Sequence, residues 1–242
     1  ILPTLGGSGT VTLLEIGSVQ GLNEFSGSAS ITNHSNRSAT VRADFYQRGQ
    51  PGVTVTESMT IPAGDTVGYS DFGADLFGIS GDVGTVVLTA TNGTEIGATG
   101  REFAIFRDGQ NRITGTAGQL IAGQTQADRL ETGRVHHFIG LRQERGGSGT
   151  ERSHFAVFNP ATTDAQVTVR LYDGATGTFE GQQSWTVGSK TLIQINHVIR
   201  VINPDYDGNE KRIEVEVNRR VFMNAFRVNR WGDPITLSPF AE

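Results

Sequence analysis

Cysteine is absent from this chain of 242 residues. With it go disulfide scaffolds, cysteine nucleophiles and every Cys-bearing zinc site. The compartment stays open, because many exported proteins also lack disulfides. An excess of positive charge is absent too: 20 Lys and Arg against 25 Asp and Glu leave a formal net charge of −5 and a pI near 5.6. No basic field is present to attract nucleic acid. No apolar run approaches the ~20 residues that a membrane-spanning helix needs, so no membrane span is expected. Helical periodicity is scarce. Glycine is what the chain has in quantity, 32 of 242 residues, against a usual share of roughly 7%. That content fits a fold full of turns.

The dominant period is two. Ala39, Val41, Ala43 and Phe45 alternate with Thr40, Arg42 and Asp44. Ala165, Val167, Val169 and Leu171 alternate with Gln166, Thr168 and Arg170, and Ile213, Val215 and Val217 alternate with Arg212, Glu214 and Glu216. Alternation of this kind sends one face of a strand into a core and the other into water, as in antiparallel sheets. Turn residues break it at short intervals: Pro62-Ala63-Gly64-Asp65, Asn92-Gly93, Asp108-Gly109, Asp173-Gly174 and Gly232-Asp233-Pro234. Short helices are expected at 71–78, with Asp71 as N-cap, and at 196–202, with Asn196 as N-cap. An apolar loop plug is the alternative at both places.

The chain also repeats itself. Residues 33–46 align without a gap on residues 159–172, and Ser58-Met59-Thr60-Ile61 falls on Ser184-Trp185-Thr186-Val187 in the same phase. Further on, Phe106-Arg107 matches Phe226-Arg227 and Ile113-Thr114 matches Ile235-Thr236. The expected organisation is an N-terminal extension at 1–10, a first repeat at 11–123, a linker at 124–132 and a second repeat at 133–242. The fold class follows: all-β, two tandem antiparallel β-sandwich domains, each with one short helix. Residues 1–5 carry neither an initiator Met nor a signal-peptide charge pattern and read as the start of a processed or trimmed chain.

The second repeat carries Phe155-Ala156-Val157-Phe158-Asn159-Pro160, a polar turn, then residues 165–173 ending in Arg170-Leu171-Tyr172-Asp173. The first carries Thr60-Ile61-Pro62-Ala63-Gly64-Asp65 and later Asp75-Leu76-Phe77-Gly78. These segments resemble the Ig-like β-sandwich repeats found in tandem in secreted and surface proteins of bacteria. The first repeat departs from the pattern with Asn33-His34 in place of Asn-Pro, and the second with Gly188-Ser189-Lys190 in place of Pro-Ala-Gly. The resemblance implies Ig-like domains in an extracellular, non-catalytic module.

Candidate sites are few. Asp205, Asp207, Asn209 and Glu210 form an acidic turn around Gly208 with the donor types of a calcium loop; a plain turn between strands is the other reading. No other cofactor is expected. The five histidines offer no metal pair, since His136 and His137 are adjacent on an expected strand and point to opposite faces. No Gly-x-Ser-x-Gly elbow stands between a strand and a helix, and no enzyme activity is expected. Asn33, Asn36 and Asn92 each head an N-glycosylation triplet. Trp185 aligns with Met59 and reads as core, whereas Trp231 lies in a turn, where it either packs over a hairpin end or meets a partner or a sugar ring. Ile1, Leu2 and Leu5 make an apolar segment ahead of a glycine joint, which either packs on its own domain or adds as a strand to another subunit's sheet edge. The expected role is an extracellular or cell-surface structural protein that binds copies of itself or another surface protein; the alternative is a polysaccharide-binding module.

Overall fold

A computed structural model of the chain describes residues 8–20, 24–145, 151–206, 208–229 and 234–241, and the structural statements below concern these. The chain divides into two units, Ile1–Asp128 and Arg129–Glu242. Both are all-β with antiparallel pairing, and each has its own apolar core.

The first unit runs β1 (Thr10–Gln20), β2 (Glu24–Asn33), β3 (Ala39–Gln47), β4 (Val55–Ile61), β5 (Thr66–Tyr69), α1 (Phe72–Phe77), β6 (Asp82–Ala90), β7 (Ile96–Arg107) and β8 (Ile113–Ala122). One layer has the order β4-β3-β6-β1, the other β5-β2-β7-β8. Strand β1 serves both. It pairs with β6 from Thr10 to Ser18, then turns Val19 and Gln20 onto Phe25 and Glu24 of β2. Between the layers lie Val41, Ala43 and Phe45 of β3, which the alternation selected, with Val86 and Leu88 from β6 and Ile31 from β2. Burying side chains of this size stabilises the fold by about 1.5–3 kcal/mol each.

The second unit follows a 3₁₀ turn (Gln126–Asp128). It runs β9 (His136–Leu141), β10 (Arg152–Asn159), β11 (Ala165–Asp173), β12 (Phe179–Val187), β13 (Thr191–Ile195), α2 (Val198–Ile202), β14 (Lys211–Val217), β15 (Phe222–Val228), β16 (Pro234–Leu237) and β17 (Phe240–Ala241). Its layers are β12-β11-β14-β9-β17 and β13-β10-β15-β16. Strand for strand, β9 to β16 repeat the order of β1 to β8. The register repeats as well: Val41 faces Met59 across β3 and β4, and Val167 faces Trp185 across β11 and β12.

One side chain fixes the same corner in both units. Asn33 ends β2, is fully buried, and donates from Nδ2 to the carbonyls of Arg37 (2.8 Å), Ile61 (3.1 Å) and Pro62 (2.9 Å). Its Oδ1 accepts from Ser35 N at 3.0 Å. Asn159 ends β10 and does the same to Thr163 (2.9 Å), Val187 (3.0 Å) and Gly188 (3.1 Å), with Ala161 N donating at 3.0 Å. Each asparagine ties the end of a strand in one layer to the turn that leaves the other layer. The departures Asn33-His34 and Gly188-Ser189-Lys190 leave the device intact because it uses backbone carbonyls, which any residue supplies.

Two expectations are corrected. The match of Phe106-Arg107 to Phe226-Arg227 marks hairpin tips and not equal register. Ser28 faces Arg101 in β2–β7, and its counterpart His154 faces Phe226 in β10–β15, so Arg227 takes the place of Glu102. Strand β7 has 12 residues where β15 has 7, and the first unit therefore carries a hairpin extended past the end of its counterpart. The helix caps differ: Asp71 caps α1 by accepting from Ala74 N, whereas α2 starts at a left-handed His197 with no side-chain cap, one residue after Asn196. Within 124–132, Gln124 pairs with Thr12 of the first unit and Leu130 is buried in the second unit's core, which leaves residues 125–129 between.

Candidate functional site

The extended hairpin gives the first unit a long sheet edge. Strand β8 pairs with β7 from Ile113 to Ala122 and, among the described residues, with no second strand. Its sequence, Ile-Thr-Gly-Thr-Ala-Gly-Gln-Leu-Ile-Ala, holds no charge and no proline. Natural edge strands are usually shortened, charged or covered, because their unpaired N–H and C=O groups template another strand. The other edges follow that rule: β5, β13 and β16 have four or five residues, β4 carries Glu57 and β12 carries Glu180. On β8, Ile113 is 58% exposed.

The hairpin that presents this edge is braced. Asp108 holds the tip by accepting from Gln110 N and Arg112 N, both at 2.9 Å, and pairs with Arg112 Nε at 2.8 Å. Those bonds hold its carboxyl below the usual range. Arg107 grips Glu24 of β2 with two bonds, 2.7 and 3.1 Å. Arg101 stacks on Phe103 at 4.6 Å and donates to Thr116 Oγ1 at 3.2 Å. Gly118 lets β8 lie close on β7, for a Cβ there would stand 2.4 Å from Glu102 O and from Phe103 Cβ.

At the base of the hairpin sits a buried acid. Glu15 is 2% exposed and has a left-handed backbone, φ 60°, at a bulge where the β1–β6 register shifts between Leu13 and Ile16. A positive φ is uncommon outside glycine and costs of order 1 kcal/mol or more. Its Oε2 has no hydrogen-bond partner among the described residues. Burial, then the nearby Glu102 carboxylate, pushes the Glu15 carboxyl well up, with Arg48 opposing. Glu102, on β7, is pushed up to about 7 by burial, against the pull of Arg48 and a hydrogen bond with Gln119 of β8. Sequence reading missed this pair, though the break in alternation at Leu13-Leu14-Glu15-Ile16 marks the bulge.

A second buried ion was also missed. The Lys211 side chain is fully enclosed and bonds Asp173 Oδ2 (3.1 Å) and Glu180 Oε1 (2.7 Å). Asp173 also accepts at Oδ1 from Ala175 N, Thr176 N and Thr176 Oγ1. The backbone donors, then Lys211, hold its carboxyl far below the usual range. The signal was present, since Lys211 sits in the inward phase of Ile213, Val215 and Val217.

The acidic turn is held by arginines. Arg145 Nε donates to Tyr206 O at 2.6 Å, Arg142 Nε to Gly208 O at 3.2 Å, and Glu210 pairs with Arg227 at 2.9 Å. Of the candidate calcium ligands, Glu210 is the one shown paired with an arginine. Asp205 is exposed and Asp207 lies outside the described residues. Among the described residues no group of three or more His, Asp or Glu side chains is arranged to hold a metal. The histidines are dispersed: His136 accepts from Glu131 N, His137 stacks on Phe240, and His154 stacks on Phe226. Burial, then Arg152 and His197, pushes His154 down to about 3, so it is neutral at physiological pH.

The glycosylation triplets differ in access. Asn33 is buried and its amide donates to three carbonyls. Asn92 is exposed, but its Nδ2 donates to Ser38 O at 2.7 Å and its Oδ1 accepts from Thr94 Oγ1. Asn36 is exposed. Trp185 is half-buried against the core and packs edge-on on Phe155, ring centroids 5.2 Å apart. Trp231, Ile1, Leu2 and Leu5 lie outside the described residues. No described helix is long and apolar enough to cross a membrane. No known family model and no curated protein matches the chain.

Proposed function

We propose that this chain is a non-catalytic structural or interaction protein of the cell exterior that joins copies of itself, or another surface protein, through strand addition at β8. The observation that supports the reading is the length and chemistry of that edge: ten residues with no charge and no proline, on a hairpin braced by ion pairs. Strand addition uses main-chain hydrogen bonds for affinity and alternate side chains for selectivity. The cell-exterior location rests on the resemblance to surface repeats.

The test is the assembly state of the chain with and without a charge on the edge. Thr116→Lys places an ammonium on an exposed β8 position, where natural edges carry one. Deletion of residues 1–7, which removes Ile1, Leu2 and Leu5, asks whether that segment is the added strand. Oligomers lost in both variants identify the N-terminal segment as the donor. Oligomers lost only in Thr116→Lys point to another strand. Monomers throughout overturn the reading.

A further inference from the structure

We propose that Glu15 and Glu102 form a protonation latch that holds the extended β7–β8 hairpin against the first unit; its role as a control of the docking edge rests on the reading above. The geometry carries the idea. A carboxylate oxygen with no partner, on a side chain that is 2% exposed, is costly to keep ionised. The backbone that holds it is itself in an unfavourable conformation. A second carboxylate lies within electrostatic reach, on the strand that begins the extension.

Each element near the pair contributes one group. Strand β7 supplies Glu102 and β8 supplies Gln119, which hydrogen-bonds Glu102. Arg48, just past β3, is the cation that acts on both acids among the described residues and is also 4.0 Å from Asp82 at the start of β6. Two acids against one shared arginine leave an excess negative charge when both ionise. With a proton on one of them that excess disappears. Loss of the proton sets two carboxylates against each other at the root of the hairpin. Glu102 lies next to Phe103 and Arg101, which brace β8, so the strain falls on the β7–β8 ladder. At the equivalent place in the second unit Arg227 replaces Glu102 and is neutralised by Glu151 at 3.1 Å and Glu210 at 2.9 Å.

The sign follows from linkage. A carboxyl whose folded pKa is raised stabilises the fold fully below its unfolded value, and that contribution falls as pH rises toward the folded value. For Glu102 the window runs from the usual 4.5 to about 7. Above it the hairpin is at its weakest.

Hydrogen exchange tests the latch without assembly. Peptides covering residues 98–122 are followed from pH 5 to 8.5, with exchange corrected for the intrinsic rate. In the wild type, protection of the hairpin should fall about tenfold or more over that range, the equivalent of one pKa unit. Glu15→Gln and Glu102→Gln should each flatten the dependence and keep the hairpin protected at pH 8.5. Glu102→Gln carries the test alone should Glu15→Gln not fold. The same pH dependence in wild type and both variants would overturn the proposal. Because exchange is read on the hairpin itself, a latch that fails leaves the assembly result standing, and the reverse.

Discussion

Replacing Asn159 by alanine removes the corner tie of the second unit. The side chain has two N–H protons shared among three carbonyls and one oxygen that accepts from Ala161 N. Three hydrogen bonds' worth of pairing is lost, at about 0.5–1.5 kcal/mol each. Val187 O is buried and left without this donor, which pushes the cost toward the upper end. We expect about 3 kcal/mol. At roughly 2.1 cal/mol/K per residue, a unit of this size loses about 10–15 °C in Tm. Both tryptophans, Trp185 and Trp231, belong to the second unit. Denaturant unfolding read by tryptophan fluorescence therefore reports that unit. Asn159→Asp should do as badly as alanine, because it sets a carboxylate against three carbonyl oxygens. Asn33→Ala should cost the first unit a similar amount, read by hydrogen exchange. A loss under about 0.5 kcal/mol, the range of ordinary surface substitutions, would refute the reasoning. So would a large loss at one asparagine and none at its twin.

Other perturbations have equally definite outcomes. Lys211→Ala leaves Asp173 and Glu180 facing each other in a buried site and should cost the second unit about 3–5 kcal/mol, whereas Asp173→Asn with Glu180→Gln should cost less. The contribution of Asp173 is complete above the ordinary carboxylate range and is lost as pH falls below it, because its folded pKa is depressed; acid titration of the unit's stability checks the sign. Gly118→Ala drives a Cβ into β7 and should cost about 1–3 kcal/mol, while Gly109→Ala, with nothing within 4 Å of the added Cβ, should be neutral; exchange of the hairpin reads both. Added calcium should leave the melting temperature unchanged, because Glu210 of the acidic turn is already paired with Arg227; a rise at millimolar calcium would show that the turn binds the ion.

Much of this fold was legible in the sequence because its strands have one wet face. The alternations over β3, β11 and β14 placed those strands within a residue of their bounds, and the phase of the repeat identified Asn33 and Asn159 as equivalent. The role of that pair was hidden. An asparagine at a strand end reads as a turn former or a glycan acceptor, and only the partner carbonyls, 28 and 29 residues away, show it to be a core tie. Periodicity says which face a residue takes and nothing about what lies opposite. Lys211 thus went unnoticed in an inward phase. The bulge at Glu15 hid its own residue, since an extra residue shifts the phase and makes a buried acid look like a break between strands. The length of the β7–β8 hairpin was hidden because its tip, Phe106-Arg107, resembles Phe226-Arg227 at a different register. The edge was hidden too, since a strand's edge position depends on pairing, which no single segment encodes.

The central claim, assembly through β8, is tested most directly by light scattering beside electron microscopy on the purified chain and on Thr116→Lys, over a range of concentrations at pH 6. The account predicts concentration-dependent oligomers or fibres in the wild type and monomers in the variant at every concentration. Monomers in both, or the same assemblies in both, would contradict it.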